Sequence, residues 1–313
     1  MHKFQLDLKN DIMATDIRLI LLDEIITEAE MEEDCKKAID MFKRFESKFS
    51  RFIEDSELSR FNQKSGEFQA STDLLTMIKL SQKYFARTKG YFDITILPYL
   101  LNEGYQKSKK NNYDDNLSNE TKHDAARYYL NDLKISKYKV DKPEGLMIDL
   151  GGIGKGYIVD KVSKVLKRKY RNFLVDAGGD IYVSGKNIEM QYNYWAVDVE
   201  NPVKNDESIV TLVLSDKAVA TSGVNRRKWT KDGTQKNHLI DPNTGKSVDN
   251  SMLTVTVVLR TVLDADIMAK TILLMGLDDG MEYANNKKIS AFIITKDLRT
   301  YCSDRMNKYV WTA

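Results

Sequence analysis

Two stretches of this 313-residue chain join carboxylates and lysines at spacings suited to chemistry on a charged ligand. In Met147-Ile-Asp-Leu-Gly-Gly-Ile-Gly-Lys-Gly-Tyr-Ile-Val-Asp160, a short apolar run delivers Asp149, a glycine turn follows, and Lys155 stands at a helix start. Glycines let backbone groups approach a ligand closely. A lysine and free amides at a helix start both favour a phosphate. The stretch matches neither the dinucleotide fingerprint nor the P-loop, so a plain strand–turn–helix connection is the alternative. In Asp264-Ala-Asp-Ile-Met-Ala-Lys-Thr271, Asp266 and Lys270 stand four apart and share a helix face. They read as an exposed ion pair, worth about 0.3–0.5 kcal/mol, or, at Asp266, as an oxygen ligand for a hard cation such as Mg2+.

Other polar segments add to these. His238 lies on the strand entering Asp241-Pro-Asn-Thr-Gly245, where proline and glycine each fix part of a turn. A lone histidine is usually structural, and the neighbouring motifs are what make acid–base work a reading for it. In Gly90-Tyr-Phe-Asp93, Asp93 either caps a helix or holds a flat ligand between aromatics. Asp176-Ala-Gly-Gly-Asp180 reads as a tight hairpin or bulge whose glycines also permit close approach. Thr221-Ser-Gly-Val-Asn-Arg-Arg227 offers hydroxyls and guanidinium groups, or is an exposed loop. Phe49 to Asn62 reads as a turn into a short helix, with Asp55 or Ser56 as its cap.

The elements that position these groups follow from periodicity. Residues 16–22 read as a strand. Met31, Cys35, Ala38, Phe42, Phe45 and Phe49 recur at helical steps and predict a helix over 27–49. A second helix runs over 72–88, with Ser71 or Thr72 as its cap. Residues 102–126 are polar and predict a surface loop. Strands are expected at 172–184, 193–200, 208–214, 253–260 and 289–296, and a helix at 264–276. Strands mixed irregularly with helices predict an α+β fold with mixed or antiparallel sheets.

Composition narrows the class. Hydrophobic residues make up 42% and charged residues 30%, ordinary values for a globular protein. A net charge of +2 gives no case for nucleic acid or a membrane surface. No apolar run is long enough to span a bilayer. The start, MHKFQLDLKN, lacks the apolar core of a secretory signal, so a cytoplasmic protein is the simplest reading, with an exported or membrane-anchored protein whose signal has been removed as the alternative. Two cysteines do not make a disulfide framework, and Cys35 falls on a core stripe.

Taken in order, the motifs resemble the ApbE family, the FAD:protein FMN transferases. The carrying segments are Met13-Ala-Thr15, Ser50 to Asn62, Phe92-Asp93, Asp149 to Gly156, Ala177 to Asp180, Thr221-Ser-Gly223, His238 to Gly245 and the Asp266 helix. The likeness spans residues 12–303 as one ApbE-like, T-fold-related domain, with terminal extensions on either side. It implies transfer of the FMN moiety of FAD to a threonine or serine hydroxyl of an acceptor flavoprotein, with release of AMP. By motif position it implies FAD contacts at Met13, Phe52, Tyr91, Phe92, Asp93, Asp149, Lys155 and Ile240. It implies Mg2+ on the Gly152 carbonyl and Asp266, with His238 near the transferring phosphate. FAD hydrolysis and non-catalytic FAD binding are the alternative activities.

The chain departs from the family pattern at informative places. The family's threonine four residues after the metal aspartate is Lys270 here. An ammonium has no lone pair and cannot ligate a cation; it can occupy the metal's place and pair with Asp266, unless Thr271 serves instead. The family's tyrosine is Phe52, which keeps a stacking face and loses a hydroxyl. No acceptor-type Ser/Thr-Gly-Ala-Ser/Thr stretch is present, so self-flavinylation is not expected.

Overall fold

Met252–Leu259 and Ser290–Thr295 are buried along almost their whole length. Such strands must be covered on both faces, and the rest of the surrounding unit does this. The computed structural model describes residues 2–105, 130–190, 193–204 and 207–312. Contacts divide them into two compact units. The first holds residues 1–44, 155–223 and 251–313; the second holds 45–154 and 224–250. The polar loop expected at 102–126 lies mostly outside the described residues.

The first unit is built on an eight-stranded antiparallel sheet. Its order is His2–Ile12, Thr15–Asp23, Asn172–Ala177, Asp180–Ser184, Lys217–Gly223, Met252–Leu259, Ser290–Thr295 and Thr300–Cys302. Against one face packs the hairpin Trp195–Glu200/Ser208–Leu214, whose Trp195, Val197, Leu212 and Leu214 join Leu174, Val183, Val258, Phe292 and Ile294 in one core. The helix Val262–Met275 is buried nearly all round, as a central helix must be.

That helix is unusually well fixed at its first turn. Thr261 caps it by accepting the Asp264 N–H, and the two Asp160 carboxylate oxygens accept the Val262 and Leu263 N–H groups. Three of the four donors that a helix start leaves unpaired are thus satisfied. Asp160 sits on the helix Gly154–Leu166. Gly156 of that helix lies so close that an added Cβ would fall 2.7 Å from the Leu263 Cα. No larger residue fits there without movement, so Lys155 and Asp266 are carried by two helices locked together.

The second unit is smaller in its sheets. It has a three-stranded sheet of Gly66–Gln69, Lys139–Lys142 and Lys134–Ile135, and two hairpins, Lys228–Lys231/Thr234–Asn237 and Ile240–Asp241/Lys246–Ser247. Its helices are Glu57–Gln63, Thr72–Arg87 and Leu97–Asn102. Ser56 caps the first by accepting the Ser59 N–H. Glu57 accepts both the N–H and the hydroxyl of Ser71, the cap of the next helix. Leu97, Leu100, Tyr105, Trp229 and Ile240 form a core cluster. The α+β class and antiparallel pairing expected from the sequence are what the structure has.

Candidate functional site

In the first unit, two helices and a hairpin bring four charges together. Asp180 follows the turn Gly178-Gly179, both residues at positive φ. The close pairing Ala177↔Asp180 makes this a two-residue hairpin. An added Cβ at Gly178 would lie 1.8 Å from the Thr15 hydroxyl, so the turn Met13-Ala14 of the neighbouring hairpin lies against it. Met13 and Ala14 both hold positive φ, 56° and 52°, a costly geometry for residues with a Cβ.

Asp180 is 1% exposed and its Oδ2 lies 2.5 Å from the Lys155 ammonium. Asp266 is 2% exposed and its Oδ1 contacts the Lys270 ammonium. Asp180 Oδ1 and Asp266 Oδ2 are buried with no hydrogen-bond partner. Burial first, and then the Asp266 charge, push the Asp180 carboxyl up, against the pull of Lys155 and Lys270. Asp176, which accepts the Gly179 N–H, is also raised by burial, to about 6. Orphaned carboxylate oxygens in a dry setting are costly, and such groups concentrate where a ligand completes the set.

This arrangement does not fit a divalent cation at Asp266. Among the described residues, no three His, Cys, Asp or Glu side chains are grouped to hold a metal. The predicted metal carboxylate, Asp266, is already paired with Lys270. A divalent ion and an ammonium on one carboxylate, about 4 Å apart, would repel by about 8 kcal/mol at an effective dielectric of about 20. Thr271 is fully buried, with its hydroxyl turned back to donate to the Ile267 carbonyl of its own helix.

In the second unit, Asp149 is held on every side. Its N–H bonds the Ile94 carbonyl, and the Asn62 side chain exchanges two 2.9 Å hydrogen bonds with the Ile148 backbone. Oδ1 accepts the Gly151 N–H, and Oδ2 lies 2.9 Å from Arg51 Nε. Arg51 donates to the Tyr105 carbonyl, and its guanidinium lies 4.2 Å from the Phe52 ring and 4.9 Å from that of Tyr105. Tyr105 stacks on Trp229 at 5.2 Å and 13°. Phe52 is 40% exposed, a free aromatic face beside a fixed cation.

The other expected residues of this unit are spread among roles. Phe92 is buried, edge-on to Tyr84, and 3.3 Å from the Cβ position of Gly152. Asp93 accepts the Thr95 N–H and hydroxyl in a local turn and caps no helix, since Leu97–Asn102 starts after Ile96 without a side-chain cap. Tyr91 is half-buried. Ile240 belongs to the aromatic core cluster. His238 is half-buried in the bend after Thr234–Asn237, not on the strand itself. Sequence reasoning named the segments that hold Asp180 and Arg51 but gave neither side chain a role. The paired glycines before Asp180 were the available signal for one; the other had none.

A family model, the ApbE family, matches residues 13–293. The chain belongs to the ApbE family. The FAD:protein FMN transferase of Vibrio cholerae is 32% identical over 255 residues, 79% of this chain and 75% of the relative. That of Haemophilus influenzae is 26% identical over 302 residues, 93% and 86% of the two chains. The solved structure of the flavin transferase ApbE from Vibrio cholerae superposes with a TM-score of 0.82 at 28% identity, covering 98% of this chain and all of that one. The ApbE protein of Thermotoga maritima, 22% identical with a TM-score of 0.86, shares the fold. The charged cluster and the Asp149 clamp therefore lie on an ApbE fold.

Proposed function

We propose that this ApbE-family chain is an FAD:protein FMN transferase. The hydroxyl of a threonine or serine on an acceptor flavoprotein attacks the flavin-side phosphorus of FAD. The bridging P–O bond breaks, AMP leaves with its electron pair, and the hydroxyl proton passes to a base. The family match across residues 13–293, with a 32% identical FMN transferase among the relatives, carries this reading.

The residues suit the reaction. Displacement at a diphosphate needs in-line positioning and neutralisation of charge developing on the leaving phosphate. Lys155 is the side chain offered for that charge, backed by Asp180. Phe52 presents an exposed ring for a flat group, and Asp149 is locked as an acceptor for ligand N–H groups. Met13, Tyr91, Phe92, Asp93 and Ile240 complete the FAD contacts on this reading. His238 is the proposed base for the incoming hydroxyl. The resemblance implies Mg2+ at Gly152 and Asp266, but the ion pair at Lys270 argues for chemistry without it there.

The test is incubation with FAD and candidate acceptor flavoproteins. The expected outcome is an FMN-sized mass gain on a threonine or serine with stoichiometric AMP. AMP release without any acceptor would instead identify FAD hydrolysis, and neither product across cognate acceptors would overturn the reading.

A further inference from the structure

We infer that Lys270 takes the place of a divalent cation in this chain, so that the transfer reading above operates with a fixed ammonium beside Asp266. Three observations carry this. Lys270 lies one turn from Asp266, its ammonium contacts Oδ1, and its side chain is only 15% exposed. The helix holding both is pinned at its start by Thr261 and Asp160, which fixes the backbone that carries the pair. The charge is already balanced, because the buried carboxylates of Asp180 and Asp266 face the ammoniums of Lys155 and Lys270. A divalent ion would unbalance a neutral cluster that has little water to screen it.

Removing the Lys270 charge leaves two carboxylates and one ammonium. Such a cluster invites a cation, and Lys270→Thr supplies a hydroxyl oxygen beside Asp266 as well. Asp266 acts in the wild type as the positioning residue for the ammonium and not as a metal ligand.

The experiment is a Mn2+ titration of the full chain followed by electron paramagnetic resonance, which reads binding without any turnover. The wild type is expected to show no Mn2+ binding that Asp266→Asn removes. Lys270→Thr is expected to bind Mn2+ at least about tenfold more tightly, or about 1.4 kcal/mol, and Asp266→Asn in that background is expected to abolish the gain. Should Lys270→Thr fail to fold, Lys270→Gln, with its own acceptor oxygen, carries the same expectation. Wild-type Mn2+ binding that depends on Asp266, or no gain in a folded Lys270 variant, overturns the inference. AMP release from FAD after exhaustive chelation is expected to persist in the wild type and to become metal-dependent in Lys270→Thr. Absence of AMP release with FAD and acceptor counts against the transferase reading alone, and the Mn2+ comparison still decides Lys270.

Discussion

The two polar clusters solve the burial of a carboxylate in opposite ways. Around Asp149, both oxygens have partners, the guanidinium of Arg51 lies between two rings, and a backbone N–H shares the charge. Around Asp180 and Asp266, each carboxylate leans on one lysine and keeps an oxygen with nothing to accept from. The first arrangement leaves no carboxylate oxygen alone, although Arg51 Nε, 2.9 Å from Asp149, is out of line for a hydrogen bond. The second is unfinished, because its buried acceptor oxygens lack donors.

Removing one cation from each cluster tests that difference. Lys155→Met leaves Asp180 with no nearby partner except Lys270. Stripping one partner from a buried pair costs about 3–5 kcal/mol, so a large fall in melting temperature is expected, with FMN transfer reduced about 100-fold or more from the lost charge on the leaving phosphate. Arg51→Met is expected to do less. Asp149 keeps the Gly151 N–H, so the loss is of charged hydrogen bonds and ring contacts, about 2–3 kcal/mol. Its signature is a raised KM for FAD with kcat nearly kept, because Asp149 and Phe52 are positioned and not consumed. Equal effects of the two substitutions on kcat would break the comparison.

Much of the frame of these clusters was legible in the sequence, and the reasons are physical. The helices Glu28–Phe49 and Thr72–Arg87 have long apolar stripes, and the structure ends them within a residue or so of the expectation. The strand His2–Ile12 alternates Phe4, Leu6 and Leu8 with polar residues, but its half-exposed face made it easy to pass over. Lys217–Gly223 ends in Thr-Ser-Gly, which reads as a loop because the polar residues of a strand end look like those of a turn. The helix Leu277–Asn286 opens on Asp278-Asp279-Gly280, a turn-like composition in the position where acidic residues favour a helix start. Asp149 and Lys155 stood out because their motif is local. The pairing of Lys155 with Asp180, and of Arg51 with Asp149, joins residues far apart in the chain, and no spacing rule reports it.

Smaller effects sharpen the picture of how the unfinished cluster is held in place. Burial, opposed by the Val262 and Leu263 N–H groups, lifts the Asp160 carboxyl to about 6, with the Asp264 charge adding to the rise. A folded value above the unfolded one means the folded chain binds this proton more tightly. The resulting stability is complete below the unfolded value and is lost as pH rises through about 6. Melting curves at pH 5 and pH 7 are therefore expected to differ less for Asp160→Asn than for the wild type, since the amide oxygen still accepts from the helix but no longer titrates. A pH difference unchanged by the substitution would remove Asp160 as the titrating anchor.

The mildest expected change lies at the turn beside Asp180. Ala14 holds φ 52°, where a Cβ costs about 1–2 kcal/mol. Glycine relieves that strain but gives the unfolded chain more freedom, which takes back part of the gain. Ala14→Gly is thus expected to stabilise the fold by about 0.5–1 kcal/mol, seen as a small rise in melting temperature. Met13, the neighbouring residue at φ 56°, stays in place because the Ile12↔Thr15 pairing fixes both ends of the turn. FAD affinity should therefore be unchanged if the turn geometry is set by the hairpin. A loss of FAD affinity without a loss of stability would instead mean that the Ala14 side chain itself keeps Met13 in position, and that the strain at this turn serves the site.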